Sequence, residues 1–205
     1  MGRMASIMRF LLAASPLVVL LLASPGYAQT DTYQLRQGES PAVVVARTYG
    51  DKAYLSVLKF HARTRPRSRT MSLPSLRQIM VEERVQSLEP NAVEKILQAQ
   101  ADFFAETKDS GQSCNPRQEW QPKQREAFQQ SARAVNQAAA LLKEESAPHT
   151  LVTRLEHAGQ LMQGLGEQQG KASCKSIRSI HKSLASAMAS SIVWARGQHR
   201  RRATA

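Results

Sequence analysis

The stretch YQLRQGESPAVVVARTYGD, residues Tyr33 to Asp51, changes its hydrophobic period partway along. Tyr33 and Leu35 alternate with Gln34 and Arg36, the period-two mark of a half-buried strand. Gly38 breaks that run. Ser40 then stands as an N-cap with Pro41 at the first helical position, where a missing N–H costs nothing. Ala42, Val45, Ala46 and Tyr49 fall at helical spacing, and Gly50 supplies the stop. The pattern predicts a strand, a tight loop and a short helix.

The same logic extends downstream. Asp51 caps a second helix whose apolar face is Leu55, Leu58 and Ala62. A basic loop, RTRPRSR from Arg63 to Arg69, leads into TMSLP, where Met71 and Leu73 alternate with polar residues and Pro74 ends the run. The order over residues 33–74 is strand, helix, helix, strand. On these residues the stretch resembles a LysM domain. Tyr33, Leu35, Gly38, Glu39, Ser40, Val44, Ala46, Tyr49, Gly50 and Asp51 fall in register with the first half of the LysM pattern, and Met71, Leu73 and Pro74 fit its closing strand.

The resemblance implies a βααβ fold that binds N-acetylglucosamine-containing glycans such as peptidoglycan or chitin. It also implies a shallow sugar groove between the first strand–helix loop and the second helix–strand loop. Carried onto this chain, the groove residues are Gly38, Glu39, Ser40 and Pro41 of the first loop and His61, Arg63, Arg65 and Arg67 of the second. The departures concentrate in the second loop. His61 and Ala62 stand where the family often has Asn, and Arg67, Ser68 and Arg69 replace its Pro-Gly-Gln turn. In the first loop Pro41 replaces a Leu.

From Ser75 onward strand signals give way to helical spacing. A short linker helix is expected within residues 75–89, stopped near Pro90. Val93, Ile96, Leu97 and Phe104 mark one further helix, and Phe128, Val135, Ala139 and Leu142 the next. Leu155, Ala158, Met162 and Leu165 mark a third, and Ile177, Ile180, Leu184, Met188, Ile192 and Ala195 a fourth. Short links and one core predict an antiparallel bundle over residues 90–197, followed by a basic tail, 198–205. The expected fold class is therefore α+β, a small βααβ LysM-like module followed by an all-α bundle.

The N-terminus sets the compartment. Arg3 and Arg9 precede an apolar run from Phe10 to Ala23, and small residues flank a cut after Ala28. That order predicts a cleavable signal peptide over residues 1–28. A retained anchor would need roughly 20 apolar residues, and Ser15 and Pro16 interrupt this run. No Cys follows it, so a lipoprotein anchor is not expected, and the localisation read from it is secreted or periplasmic. Export exposes Cys114 and Cys174 to an oxidising compartment, where pairing is the expectation. Closing the 59 residues between them removes unfolded-state entropy worth roughly 4 kcal/mol in the chain-entropy model.

Charge is uneven along the mature chain. Residues 29–80 carry nine basic and three acidic side chains, residues 81–170 nine and thirteen, and residues 171–205 eight and none. Two basic ends around an acidic middle suit anionic surfaces of a cell envelope, reached by the basic tail, and no nucleic acid is expected.

The residues of the common wall-hydrolase sites do not come together in this sequence. A Cys–His peptidase needs a free thiolate beside a base, but each cysteine is better explained by the other. His149, His157 and His181 lie on separate segments, without the close ligand spacing of a zinc hydrolase. Glu144, Glu145, Glu156 and Glu167 fall at solvated helical positions rather than in a glycosidase cleft. Trp120 and Trp194 read as packing residues. The expectation is a non-enzymatic envelope protein with no metal and no cofactor, binding peptidoglycan or a related glycan and meeting an envelope protein through its bundle. The alternative is a structural adaptor whose altered LysM-like unit binds protein instead.

Overall fold

A computed structural model describes residues 31–60, 70–85, 89–112, 119–167 and 174–204. The elements follow the order strand β1 (Asp31–Gln34), helix α1 (Pro41–Tyr49), a 3-10 turn (Lys52–Tyr54), α2 (Leu55–Leu58), β2 (Thr70–Leu73) and α3 (Leu76–Glu82). Four longer helices complete the chain: α4 (Pro90–Gln112), α5 (Pro122–Glu144), α6 (His149–Glu167) and α7 (Cys174–Thr204). It is a mostly helical α+β protein with one small sheet.

The two strands pair antiparallel, Tyr33 opposite Met71 and Gln34 opposite Thr70. Between them, Ser40 caps α1 by accepting from the Val43 N–H, with Pro41 in the first turn. Gly50 ends α1 in the left-handed region at φ 100° and donates its N–H to the Ala46 carbonyl. Asp51 caps the next segment by accepting from the Ala53 N–H at 2.7 Å. That segment opens as a 3-10 turn before α2 begins at Leu55. Ala62, expected on its apolar face, lies outside the described residues.

The long helices close a bundle in which α4 packs on α5, α5 on α6, α6 on α7 and α7 on α4. Their buried stripes are those that the helical spacing marks, including Phe128, Leu155, Met162, Ile180 and Leu184. Each such side chain contributes about 1.5–3 kcal/mol of burial. One position differs. Phe103 is the fully buried aromatic of α4, while Phe104 is half-buried. Phe103 stacks toward Phe128 at 5.4 Å, and Phe128 meets Trp120 edge-on at 4.9 Å. Trp120 and Trp194 are both buried.

The strand–helix–helix–strand unit and the bundle share one core, running from Val45, Tyr54 and Met71 to Phe103, Leu155 and Ile192. The 3-10 turn and α2 pack on α7, and α1 touches α4. A buried hydrogen bond from Gln100 on α4 to the Tyr49 carbonyl, 3.2 Å, crosses this joint. Helix α3 joins the same core through Leu76, Ile79 and Met80 rather than serving as a bare linker. Arg77 on α3 pairs with Glu94 on α4 at 2.6 Å, and Arg196 on α7 with Glu83 at 2.7 Å. The basic residues expected as a tail belong instead to α7, which runs helical through Arg200–Arg202 to Thr204.

Candidate functional site

The first loop is built around one carboxylate. Glu39 accepts from the Tyr33 hydroxyl at 2.8 Å and from the Arg36 N–H at 3.2 Å, and its other oxygen pairs with Arg47. The Arg47 guanidinium also lies 5.9 Å over the Tyr33 ring. Partial burial alone would push the Glu39 carboxyl up. The hydrogen bonds from Arg36, Tyr33 and Arg47, with the Arg47 charge, outweigh that and hold it below the usual carboxylate range. In return, the Glu39 N–H donates to the Arg36 carbonyl at 3.0 Å. Residues 36–39 therefore form a tight turn, with Gly38 at its third position and φ 80°. A type II turn demands positive φ there, which glycine supplies without strain.

The four first-loop residues thus divide their work. Ser40 and Pro41 start α1, Glu39 clasps the loop onto β1 and α1, and Gly38 alone presents open backbone. Among the described residues, nothing beyond its chain neighbours lies within 4 Å of where its Cβ would stand. The four second-loop residues, His61, Arg63, Arg65 and Arg67, lie outside the described residues. The strand register nonetheless places the ends of that connection. Gln34 pairs with Thr70, so the first loop begins and the 61–69 connection ends at the same end of the ladder. Of the cysteines, Cys174 stands half-buried at the first residue of α7. Cys114 lies outside the described residues, and the expected pairing falls there with it.

Sequence reasoning missed a second feature. A cleft of about 870 Å³ runs between α1, the 3-10 turn and the first turns of α7. Its apolar floor includes Ala42, Ala46, Ala53 and Ile177, and Val43, 55% exposed, stands beside it. Lys52, Arg178 and Lys182 line it as cations. The spacing of Arg178 and Lys182, one helical turn apart, was a legible signal of a shared face, but its partner wall could not be read from α7.

His181 lines the same cleft. It is 2% exposed and enclosed by Tyr54, Phe103 and Phe104. Among the described residues its Nδ1 has no hydrogen-bond partner. Burial pulls its pKa down to about 4 despite the opposing Asp51 charge, so the imidazole is neutral near pH 7. His149 and His157, expected on separate segments, both stand on α6, exposed and eight residues apart, as Glu156 and Glu167 are exposed there and Glu144 and Glu145 around the end of α5. No cluster of three or more His, Cys, Asp or Glu side chains suited to a metal occurs among the described residues. No helix among them is long and apolar enough to cross a membrane. Comparison with family models, characterised proteins and solved structures finds no match.

Proposed function

We propose that this chain is an exported, non-catalytic cell-envelope protein whose βααβ unit, LysM-like in pattern, binds N-acetylglucosamine-containing glycan, peptidoglycan foremost. The observation that carries the reading is the end of the β1–β2 ladder. Gln34 pairs with Thr70, so the strand that leads into the Gly38 turn and the strand that follows the arginine-bearing residues meet at one end of the ladder, which supports a groove between the two loops. The clasped turn supports it further, because a preorganised backbone loses less freedom on binding. Gly38 presents backbone without a side chain in the way, and a sugar's acetamido and hydroxyl groups are partners for such backbone.

Each hydrogen bond of this kind is worth on the order of 1 kcal/mol net, so a single unit holds its ligand weakly. Retention comes from many units meeting one polymer. The bundle is the part that meets an envelope protein or spaces the glycan unit from one, with Cys114 and Cys174 paired to fasten its longest connection. The basic end of α7 faces anionic envelope surfaces.

The test is sedimentation of the purified protein with insoluble peptidoglycan at physiological salt. The reading expects a fraction in the pellet that soluble chitin oligosaccharide competes away. A protein that stays in the supernatant, or whose retention vanishes with modest salt and ignores the oligosaccharide, overturns it.

A further inference from the structure

We propose that the cleft between α1 and α7 takes a short peptide bearing carboxylates and small apolar side chains, the chemistry of the peptide stems attached to peptidoglycan. This rests on the glycan reading above and extends it from the sugar to its peptide.

The walls select for that chemistry. Ala42, Ala46 and Ala53 contribute small apolar side chains to the lining, beside the larger Val43 and Ile177, and surfaces of that kind suit methyl groups. Around it stand Lys52, Arg178 and Lys182. Among the described residues none of the three has an ion-pair partner. The one acid in the lining, Asp51, is occupied in capping the 3-10 turn. The unneutralised charge is therefore positive, and it calls for carboxylates. His181, a lining residue that is 2% exposed, carries a buried Nδ1 that has no hydrogen-bond partner among the described residues. Buried polar groups are nearly always paired, and a missing partner calls for an explanation such as a ligand.

Position and length agree. The cleft wall begins at Ala42 and Val43, directly after the Gly38–Pro41 loop, and follows α1 to Gly50. That span rises about 12 Å along a helix axis. Four extended residues reach about 14 Å. A peptide of four extended residues is therefore about as long as the α1 wall of the cleft.

Two ligands separate this inference from the glycan reading. One is the soluble, N-acetylated stem peptide L-Ala–γ-D-Glu–L-Lys–D-Ala, titrated by calorimetry. The other is glycan stripped of its peptides, assayed by sedimentation. The expected result is peptide binding that weakens as salt rises. Charge reversal at Arg178→Glu with Lys182→Glu should reduce that binding roughly tenfold. Both residues are exposed, so folding is checked by an unchanged melting temperature. Sedimentation with stripped glycan should not change. The imidazole nitrogen resonances of His181 should shift on adding peptide. No peptide binding, equal binding of the peptide with its carboxylates amidated, or an unchanged affinity in the double variant overturns the cleft assignment. Stripped glycan bound without the peptide refutes the cleft alone, whereas peptide bound without stripped glycan refutes the loop alone.

Discussion

Gly50 lies against the edge of His181. A Cβ added to Gly50 would stand 2.6 Å from Cε1 and 2.9 Å from Nε2 of that ring, and 2.9 Å from the Phe104 ring. This contact joins the strand–helix–helix–strand unit to α7 and α4 at one point. Gly50→Ala therefore meets two obstacles, a φ of 100° that L residues rarely adopt and two aromatic walls. The expected loss is about 2–4 kcal/mol of unfolding free energy, read by urea denaturation. A loss under about 0.5 kcal/mol would mean the joint is loose.

His181 makes stability depend on pH. Its folded pKa lies near 4, below the unfolded value of 6.5, because burial disfavours the charged ring. Above pH 6.5 both states are neutral there, and this contribution to stability is fully present. As pH falls toward 4 only the unfolded chain takes up the proton, so stability declines by on the order of 3 kcal/mol. Below the folded pKa the decline from this group levels off. His181→Leu should flatten the profile between pH 6.5 and 4, measured by denaturant midpoints across that range. A profile with the same slope in the variant assigns the dependence to other groups.

Where the chain's own local rules govern, the fold was legible. Ser40, Pro41 and Gly50 set the bounds of α1 through capping and φ alone, and the apolar stripe from Ile177 to Ala195 defined the buried face of α7. What was not legible depended on packing between distant segments. The choice of Phe103 over Phe104 turns on which faces Phe128 across the bundle. The burial of His181 was not legible because nothing local says that Gly50, 131 positions earlier, leaves room for its ring. The basic tail read as separate because Arg200–Arg202 lack an apolar face, yet they continue a helix already held by Ile192 and Ala195. At the candidate site, Glu39 was placed toward sugar by resemblance. Its actual engagements depend on Tyr33 and Arg47, six and eight residues away, reached only once β1 and α1 have packed.

That clasp yields its own prediction. Glu39→Gln keeps the shape but removes the charge that holds Arg47, so the Gly38 turn should loosen. Amide exchange at residues 37–39 should accelerate, and retention on peptidoglycan should fall. The unaltered protein should behave alike in acid. Because the carboxyl is held below its ordinary range, the clasp is complete above the unfolded carboxylate pKa and is lost as pH falls through the lower folded value. Exchange at those amides that is unchanged in the variant would show that the turn holds without the charge.

Gly38 separates two ways a loop can matter. Its φ of 80° penalises side chains even though no described residue beyond its chain neighbours crowds it. The cost of placing an ordinary residue in this region is roughly 1–2 kcal/mol, while Asn tolerates it far better. Gly38→Val should therefore disturb the turn and reduce glycan retention together. Gly38→Asn should preserve the turn, shown by unchanged exchange at Glu39 and an unchanged melting temperature. It still sets a side chain where the sugar is proposed to approach the backbone. Retention lost in both variants says that the ligand needs the bare backbone of Gly38. Retention kept in Gly38→Asn but lost in Gly38→Val says that the turn matters only as scaffold and that the sugar contacts lie elsewhere. If both variants retain glycan fully, the first loop is not the binding surface, and the glycan reading loses the residue on which it rests.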